Sequence, residues 1–300
     1  MTKKDSAAFA AISLLLIITA LFFIPTQKHP IKKTPSDIVT SQEQVFDDSQ
    51  ALINYFDSID YVWPIKSATH IPNTLITKMP QDMKDLKDVK TRKHLFIRIM
   101  LPIIIAEQKR IREQRKTLKL ILQSDIQQNK KMQDWLNKLF KEYKIKPSLS
   151  FEEKANALLT KFDELPVTLV LAQAAIESGW GTSRFTRLGN SLFGEWTFEP
   201  GNGIIPANRQ PGKTHEVKAF PSLQDAIASY IKNINRNNAY KELRKYRADM
   251  RKNHQPLDAK ILAKGLQRYS QKGEAYVTSL LKILNSKEFK QVEALKLDAI

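Results

Sequence analysis

The run PVTLVLAQAAIE, residues 166–177, constrains the fold of this chain more than any other segment. Pro166 is suited to opening a helix, and the apolar side chains after it fall on almost every side of that helix. A helix apolar all round is stable only where other elements cover its faces. The remaining chain must therefore wrap this helix, and candidates for the wrapping are visible. Residues 151–162 read as an amphipathic helix, and four more helical patterns start at residue 222: SLQDAIASYIKNI, AYKELRKYRADMRK, LDAKILAKGLQRY and EAYVTSLLKILNS. Residues 179–220 are rich in Gly, Pro, Asn and aromatics and offer room for short strands. The second half is thus expected to be mostly α with one small β-containing lobe.

The first half is helical by pattern too. Residues 46–63 predict a helix that Pro64 ends. Residues 84–146 carry 18 Lys and Arg against 7 acids, and within them Leu95, Ile99, Ile103, Ile111 and Leu118 recur on a helical period, with Pro102 expected to kink or break the helix. A second helix is expected over residues 132–143. The simplest role for the charges is the solvated face of amphipathic helices; the alternative is a surface for an anionic polymer or lipid headgroups.

Residues 7–24, AAFAAISLLLIITALFFI, contain no charge, follow Lys3 and Lys4, and end at Pro25. Spanning helices take ~20 residues and cleaved signal peptides carry roughly 7–15 apolar ones, so the expectation is an uncleaved N-terminal anchor with the rest of the chain on the outer side. A polar, Pro-containing linker follows. The chain has 48 Lys and Arg against 31 Asp and Glu, a net charge of +17, and no cysteine. Disulfides, thiolate catalysis, zinc thiolates and iron–sulfur clusters are excluded. The five histidines are scattered without metal-binding spacing, so neither a metal nor a cofactor is expected. Despite its charge the chain shows no nucleic-acid recognition motif.

Glu177 ends the apolar helix, one turn after Gln173. Apolar surroundings and the negative end of the helix dipole both disfavour its ionised form. A carboxylic acid that keeps its proton near neutral pH is what protonates the leaving oxygen of a glycosidic bond. Gly179 suits the left-handed turn that closes the helix, and Trp180, Phe193 and Trp196 offer flat surfaces on which sugar rings can stack. On the residues alone a second reading stands beside this one, with Glu177 in an interhelix ion pair and the aromatics in the core.

The segment LVLAQAAIESGWGTSRFTRLGNSLFGEW, residues 169–196, resembles the catalytic segment of glycoside hydrolase family 73, the endo-β-N-acetylglucosaminidases, and within it the Bax-like proteins of the bacterial envelope. The resemblance continues in patches through THEVKAF, SLQDAIASYI and YSQKGEAYVTSLLKIL, and reaches back into HLFIRIMLPIIIAE. It implies a lysozyme-like α+β fold and cleavage of the β-1,4 bond after N-acetylglucosamine in peptidoglycan glycan strands, in the periplasm of an inner-membrane-anchored protein. Glu177 matches the family's general acid. Glu216 is the first choice for the second carboxylate, with Glu195 and Glu199 as competitors, because the intervening hairpin is short here. Tyr269 matches the family tyrosine near the scissile sugar, although the element that follows it is altered to Ser270-Gln271-Lys272-Gly273. Trp180, Asn190, Phe193, Trp196 and Tyr276 are expected to bind substrate. The organisation implied is an anchor at 1–24, a linker at 25–45, a basic helical region at 46–146, the glucosaminidase domain at 147–290 and a tail at 291–300. Muramidase or lytic transglycosylase chemistry, and a catalytically silent peptidoglycan-binding protein, remain as alternatives on this fold.

Overall fold

A computed structural model describes residues 42–297, apart from 47, 124–128, 208, 210 and 211. The expected anchor at 1–24 and most of the linker lie outside these residues. Among the described residues no helix is long and apolar enough to cross a membrane.

Two helices are buried at the centre. The apolar run forms α5 (Val167–Ser178) in our numbering of the elements, with nine of its twelve residues buried. Across it lies α2 (Val89–Gln123), 35 residues long and so about 50 Å from end to end. Pro102 lies inside α2 without ending it. The reason is tertiary. Leu95 to Ile97, Ile99 to Leu101, Ile103 and Ile104 are all fully buried, so packing on every side holds the helix through the missing backbone bond. What read as one amphipathic face is, over this stretch, a second all-round core helix.

The other elements cover this pair. α1 (Ser49–Ser58), capped by Asp48, buries Leu52 and Phe56. It stops short of the predicted end at Pro64, because Asp60 takes a left-handed conformation with φ of 55°. β1 (Gln42–Gln44) and β2 (Thr74–Ile76) pair in parallel, a sheet outside the stretch where strands were expected. α3 (Lys130–Glu142) and α4 (Phe151–Lys161) follow, the latter opened by a reciprocal Ser150–Glu153 capping box. With the end of α2 they enclose a satellite core of Leu118, Ile121, Leu136, Leu139, Tyr143, Ile145, Leu158 and Phe162.

Beyond α5 come α6 (Arg184–Gly189), the small lobe, and then α7 (Leu223–Arg236), α8 (Lys241–Lys252), α9 (Ala259–Ala263), α10 (Glu274–Leu284) and α11 (Lys287–Ala294). α11 and the residues after it bury Phe289, Val292 and Leu297, so the described part of the expected tail is packed. The lobe is a three-stranded antiparallel sheet of β3 (Trp196–Thr197), β4 (Gly203–Ile204) and β5 (Glu216–Lys218) in the order β3-β5-β4. Gly203 permits the close pairing, since a Cβ there would lie 2.4 Å from the Val217 carbonyl oxygen. The result is the expected mostly helical α+β architecture, consistent with a lysozyme-like domain.

A buried charge cluster joins α2, the α4–α5 turn and α8. Arg251 grips the Asp163 carboxylate through Nε at 3.1 Å and Nη2 at 3.0 Å, and Arg115 lies 3.4 Å away. Arg247, fully buried, donates to the backbone carbonyls of Thr160, Lys161, Asp163 and Glu164 and to Asn235 Oδ1 at 2.7 Å. Burial pushes the Asp163 acid up, but Arg247, Arg115 and Arg251 outweigh it and hold the group below its ordinary range. The turn that launches α5 is thereby fixed.

Candidate active site

The end of α5 is built by its last residues. Gly179, with φ of 58°, closes the helix in the left-handed region. The amides of Gly179 and Trp180 bond back to Ile176 O at 3.3 Å and Ala175 O at 2.8 Å, the paired pattern that satisfies terminal carbonyls. Ser178 Oγ donates to Ala174 O at 2.6 Å and accepts from the Gly181 amide at 2.9 Å. This rigid terminus presents Glu177 half-buried. Burial pushes its carboxyl above the ordinary range, while a hydrogen bond from Tyr276 and the charge of Lys272 pull it partly back.

A chain of polar groups stands behind Glu177. Tyr276 donates to Glu177 and accepts from Gln173 Nε2 at 2.8 Å, and Tyr230 donates to Gln173 Oε1. Gln173 lies one helical turn before Glu177, so both side chains leave α5 on one face. Four tyrosines close around them. Tyr269 stacks on Tyr276 with centroids 5.2 Å apart, and meets Tyr230 at 6.3 Å and Tyr240 at 6.0 Å. Burial first, then the charge of Glu177, push the Tyr269 hydroxyl well above its ordinary range, so this tyrosine acts as a hydrogen-bonding group and not as a phenolate.

Of the expected second carboxylates, Glu195 is half-buried. One of its oxygens accepts from Ser229 Oγ at 2.8 Å and the other is buried without a partner. Burial raises its acid, against the opposing pull of Ser229 and Lys218. Burial first, and then the charges of Glu195 and Glu177, raise the Tyr240 hydroxyl, against a hydrogen bond with Asn233. Glu216, in β5 opposite Thr197, is 7% exposed. One oxygen lies 3.3 Å from the Gly201 amide and the other has no partner. Glu199 is exposed and accepts from Asn202 at 2.7 Å.

The expected substrate-binding residues separate into two groups. Phe193 stacks on Tyr230 with centroids 4.0 Å apart, and Tyr276 touches Glu177 itself, so both belong to the Glu177 cluster. Trp196 is 63% exposed on the lobe, stacked on His215 at 4.5 Å, and Phe198 stands exposed two residues on. Trp180 has Phe96 and Phe289 as ring partners, with the Lys93 ammonium over its face. Asn190 caps α6 with φ of 53°, its amide donating to Phe220 O at 3.1 Å and Pro221 O at 3.3 Å. That bond ties α6 to the start of α7. Gln173, Tyr230, Tyr240 and Ser229 were not anticipated as site residues; only Gln173 carried a signal, as a polar side chain at the i−4 position of Glu177 within an apolar helix.

A cleft of about 830 Å³ opens beside Glu195. Its walls are the α3–α4 turn, α4, Lys218 of β5, and α7 with the residues after it. Glu177 does not line it; the link inward is Asn233, a lining residue bonded to the Tyr240 hydroxyl. Among the described residues no cluster of three or more His, Asp or Glu could hold a metal ion.

Residues 152–288 match the family model described as mannosyl-glycoprotein endo-beta-N-acetylglucosaminidase. The chain is 32% identical over 196 residues to the protein bax of Escherichia coli (strain K12), covering 65% of this chain and 69% of that relative. No solved structure matches. The family-model match spans α5 and the tyrosines around it, and this chain belongs to the glucosaminidase family.

Proposed function

We propose that this protein is a peptidoglycan hydrolase that cleaves the β-1,4 bond after N-acetylglucosamine, with Glu177 as the general acid. The observation that carries the reading is the state of Glu177: a half-buried carboxyl whose proton affinity is raised by burial, held by Tyr276 at the end of a rigid helix. Such a group gives its proton to the glycosidic oxygen as the bond breaks. The Tyr276 hydroxyl then stabilises the carboxylate that forms. The exposed faces of Trp196 and Phe198 suit the apolar faces of sugar rings.

Glu195 is favoured over Glu216 for the second carboxylate. It lines the cleft and is only half-buried, whereas Glu216 is 7% exposed and covered by the lobe. Glu195 would activate the attacking water. In the alternative, the substrate's 2-acetamido oxygen attacks and Tyr269 orients it. An envelope location, with residues 7–24 as anchor, belongs to the same proposal.

The test is incubation of the protein and of Glu177→Gln with purified peptidoglycan, followed by reduction and mass spectrometry of the new ends. Reduced N-acetylglucosamine ends from the wild type alone support the reading; N-acetylmuramic ends indicate a muramidase, and anhydro ends a transglycosylase. Inversion at the anomeric carbon, read by NMR before mutarotation, supports Glu195 as base, and retention supports the acetamido route.

A further inference from the structure

We propose that the cleft beside Glu195 binds the carboxylates of the peptide stems carried by the glycan strand, so that the helices preceding the family-matched region select stem-bearing over denuded strands. The proposal deepens the glycan-hydrolase reading and rests on it.

Six cations line the cleft, Lys144, Lys146, Lys161, Lys218, Lys232 and Arg236, against the single lining carboxylate of Glu195. Lys232 is paired with Glu142. Among the described residues, Lys144, Lys146 and Arg236 form no ion pair. Lys161 is fixed by donating to the carbonyls of Tyr143 at 2.8 Å and Lys144 at 3.2 Å. Burial first, and then the neighbouring charges of Arg244, Lys144 and Arg236, hold its ammonium below the ordinary lysine range; the six lining cations thus outnumber the one lining carboxylate. An anionic ligand would balance them.

The shape and lining say which anion. A lipid bilayer presents a flat surface, and this site is a cleft, with Ser229, Asn233 and Asn237 as hydrogen-bonding groups and Ile145, Leu149 and Ala157 as an apolar wall. Short peptides combining alanine methyls with free carboxylates match that mixture. Continuity with the reaction site supports the same ligand, since Glu195 lies in the cleft and Asn233 reaches Tyr240, whose ring packs against Tyr269 of the Glu177 cluster. Lys144, Ile145, Lys146 and Leu149 come from outside the matched residues 152–288. The region ahead of the family domain thereby supplies one wall of the recognition site, held there by the satellite core of α2, α3 and α4.

The experiment measures binding of the full-length Glu177→Gln chain to soluble glycan strands with intact stems and to the same strands stripped by an amidase. It then repeats both with Lys144→Glu/Lys146→Glu added, and separately with Arg236→Glu. Lys144 and Lys146 are exposed, so the fold tolerates their reversal, and thermal melts confirm it. Stem-bearing strands are expected to bind more tightly, and the double reversal to weaken them about tenfold while changing denuded strands less than about twofold. Equal affinity for both strand types, or equal loss on both, overturns the proposal. So does a reversal that abolishes binding to anionic phospholipid vesicles and leaves stem-bearing strands unaffected. Because binding is read in a hydrolysis-silent variant, failure of wild-type hydrolysis would strike the catalytic reading and leave stem selection separately decided.

Discussion

Replacing Tyr276 by Phe removes one hydroxyl and touches the catalytic proposal, the stability of the fold and its pH dependence together. The hydroxyl makes two bonds, donating to Glu177 and accepting from Gln173 Nε2 at 2.8 Å. Its loss leaves the Gln173 amide, buried at the centre of α5, without that acceptor, at a cost of about 1–3 kcal/mol. For a domain of this size that lowers Tm by about 2–12 °C. The second bond favours the ionised form of Glu177, so its removal raises the acid further. The alkaline limb of the activity profile therefore moves to higher pH, because the general acid keeps its proton longer. The developing carboxylate also loses a charge-assisted bond worth about 1.5–3 kcal/mol, so kcat at the optimum falls about 10- to 100-fold. The stability cost grows as pH rises from 4 through the raised titration of Glu177, because the lost bond favours only its ionised form. Kinetics on soluble glycan strands and calorimetry across that range check all three effects. An alkaline limb that stays put or moves down, with kcat unchanged, would refute the assigned role of Tyr276.

Glu177→Gln abolishes hydrolysis and stabilises the protein at neutral pH. The raised proton affinity of Glu177 means that its ionised form is penalised in the fold; the penalty is absent below the ordinary carboxylate pKa and fully present above the raised one, so the melting difference between the two proteins should vanish in acid. Asp163→Asn leaves the buried guanidinium of Arg247 and its neighbours without their carboxylate and costs about 3–5 kcal/mol by denaturant unfolding, most of it near neutral pH, because Asp163 is held below its ordinary range and its contribution fades as pH falls through that lowered value. A smaller loss would show that water reaches the cluster. Gly203→Ala forces a methyl against the Val217 carbonyl and costs about 1–3 kcal/mol, visible as faster hydrogen exchange in β4 and β5 than in α5.

What the sequence made legible depended on whether a residue's setting is local. α5 could be placed at the centre because its own side chains leave no polar face, and Glu177 could be singled out because both perturbing effects, burial and the helix terminus, sit on the same helix. Tyr276 and Tyr230 come from elements far along the chain, and spacing gives no hint that they converge on Gln173. Glu195 and Glu216 could not be separated because strands of two and three residues carry no period; which carboxylate the lobe covers follows from the register Thr197 opposite Glu216. Pro102 leaves α2 unbroken for a tertiary reason, and nothing local says that both sides of the helix are covered there. β1 and β2 escaped notice as well, being three residues each and paired across 32 positions.

The reach of α2 sets how this domain can be moved or trimmed. Its buried stretch from Leu95 to Ile104 shares one core with Val170, Leu171 and Ala174 of α5, yet it lies entirely ahead of residue 152, where the match to the family model begins. A protein cut to start at that boundary would carry every catalytic candidate and still expose the flank of its central helix to water. The portable unit is therefore longer than the family-model match. Grafting, truncation or fusion that respects only the matched residues should give an insoluble product, and one that begins near β1 should give a soluble one.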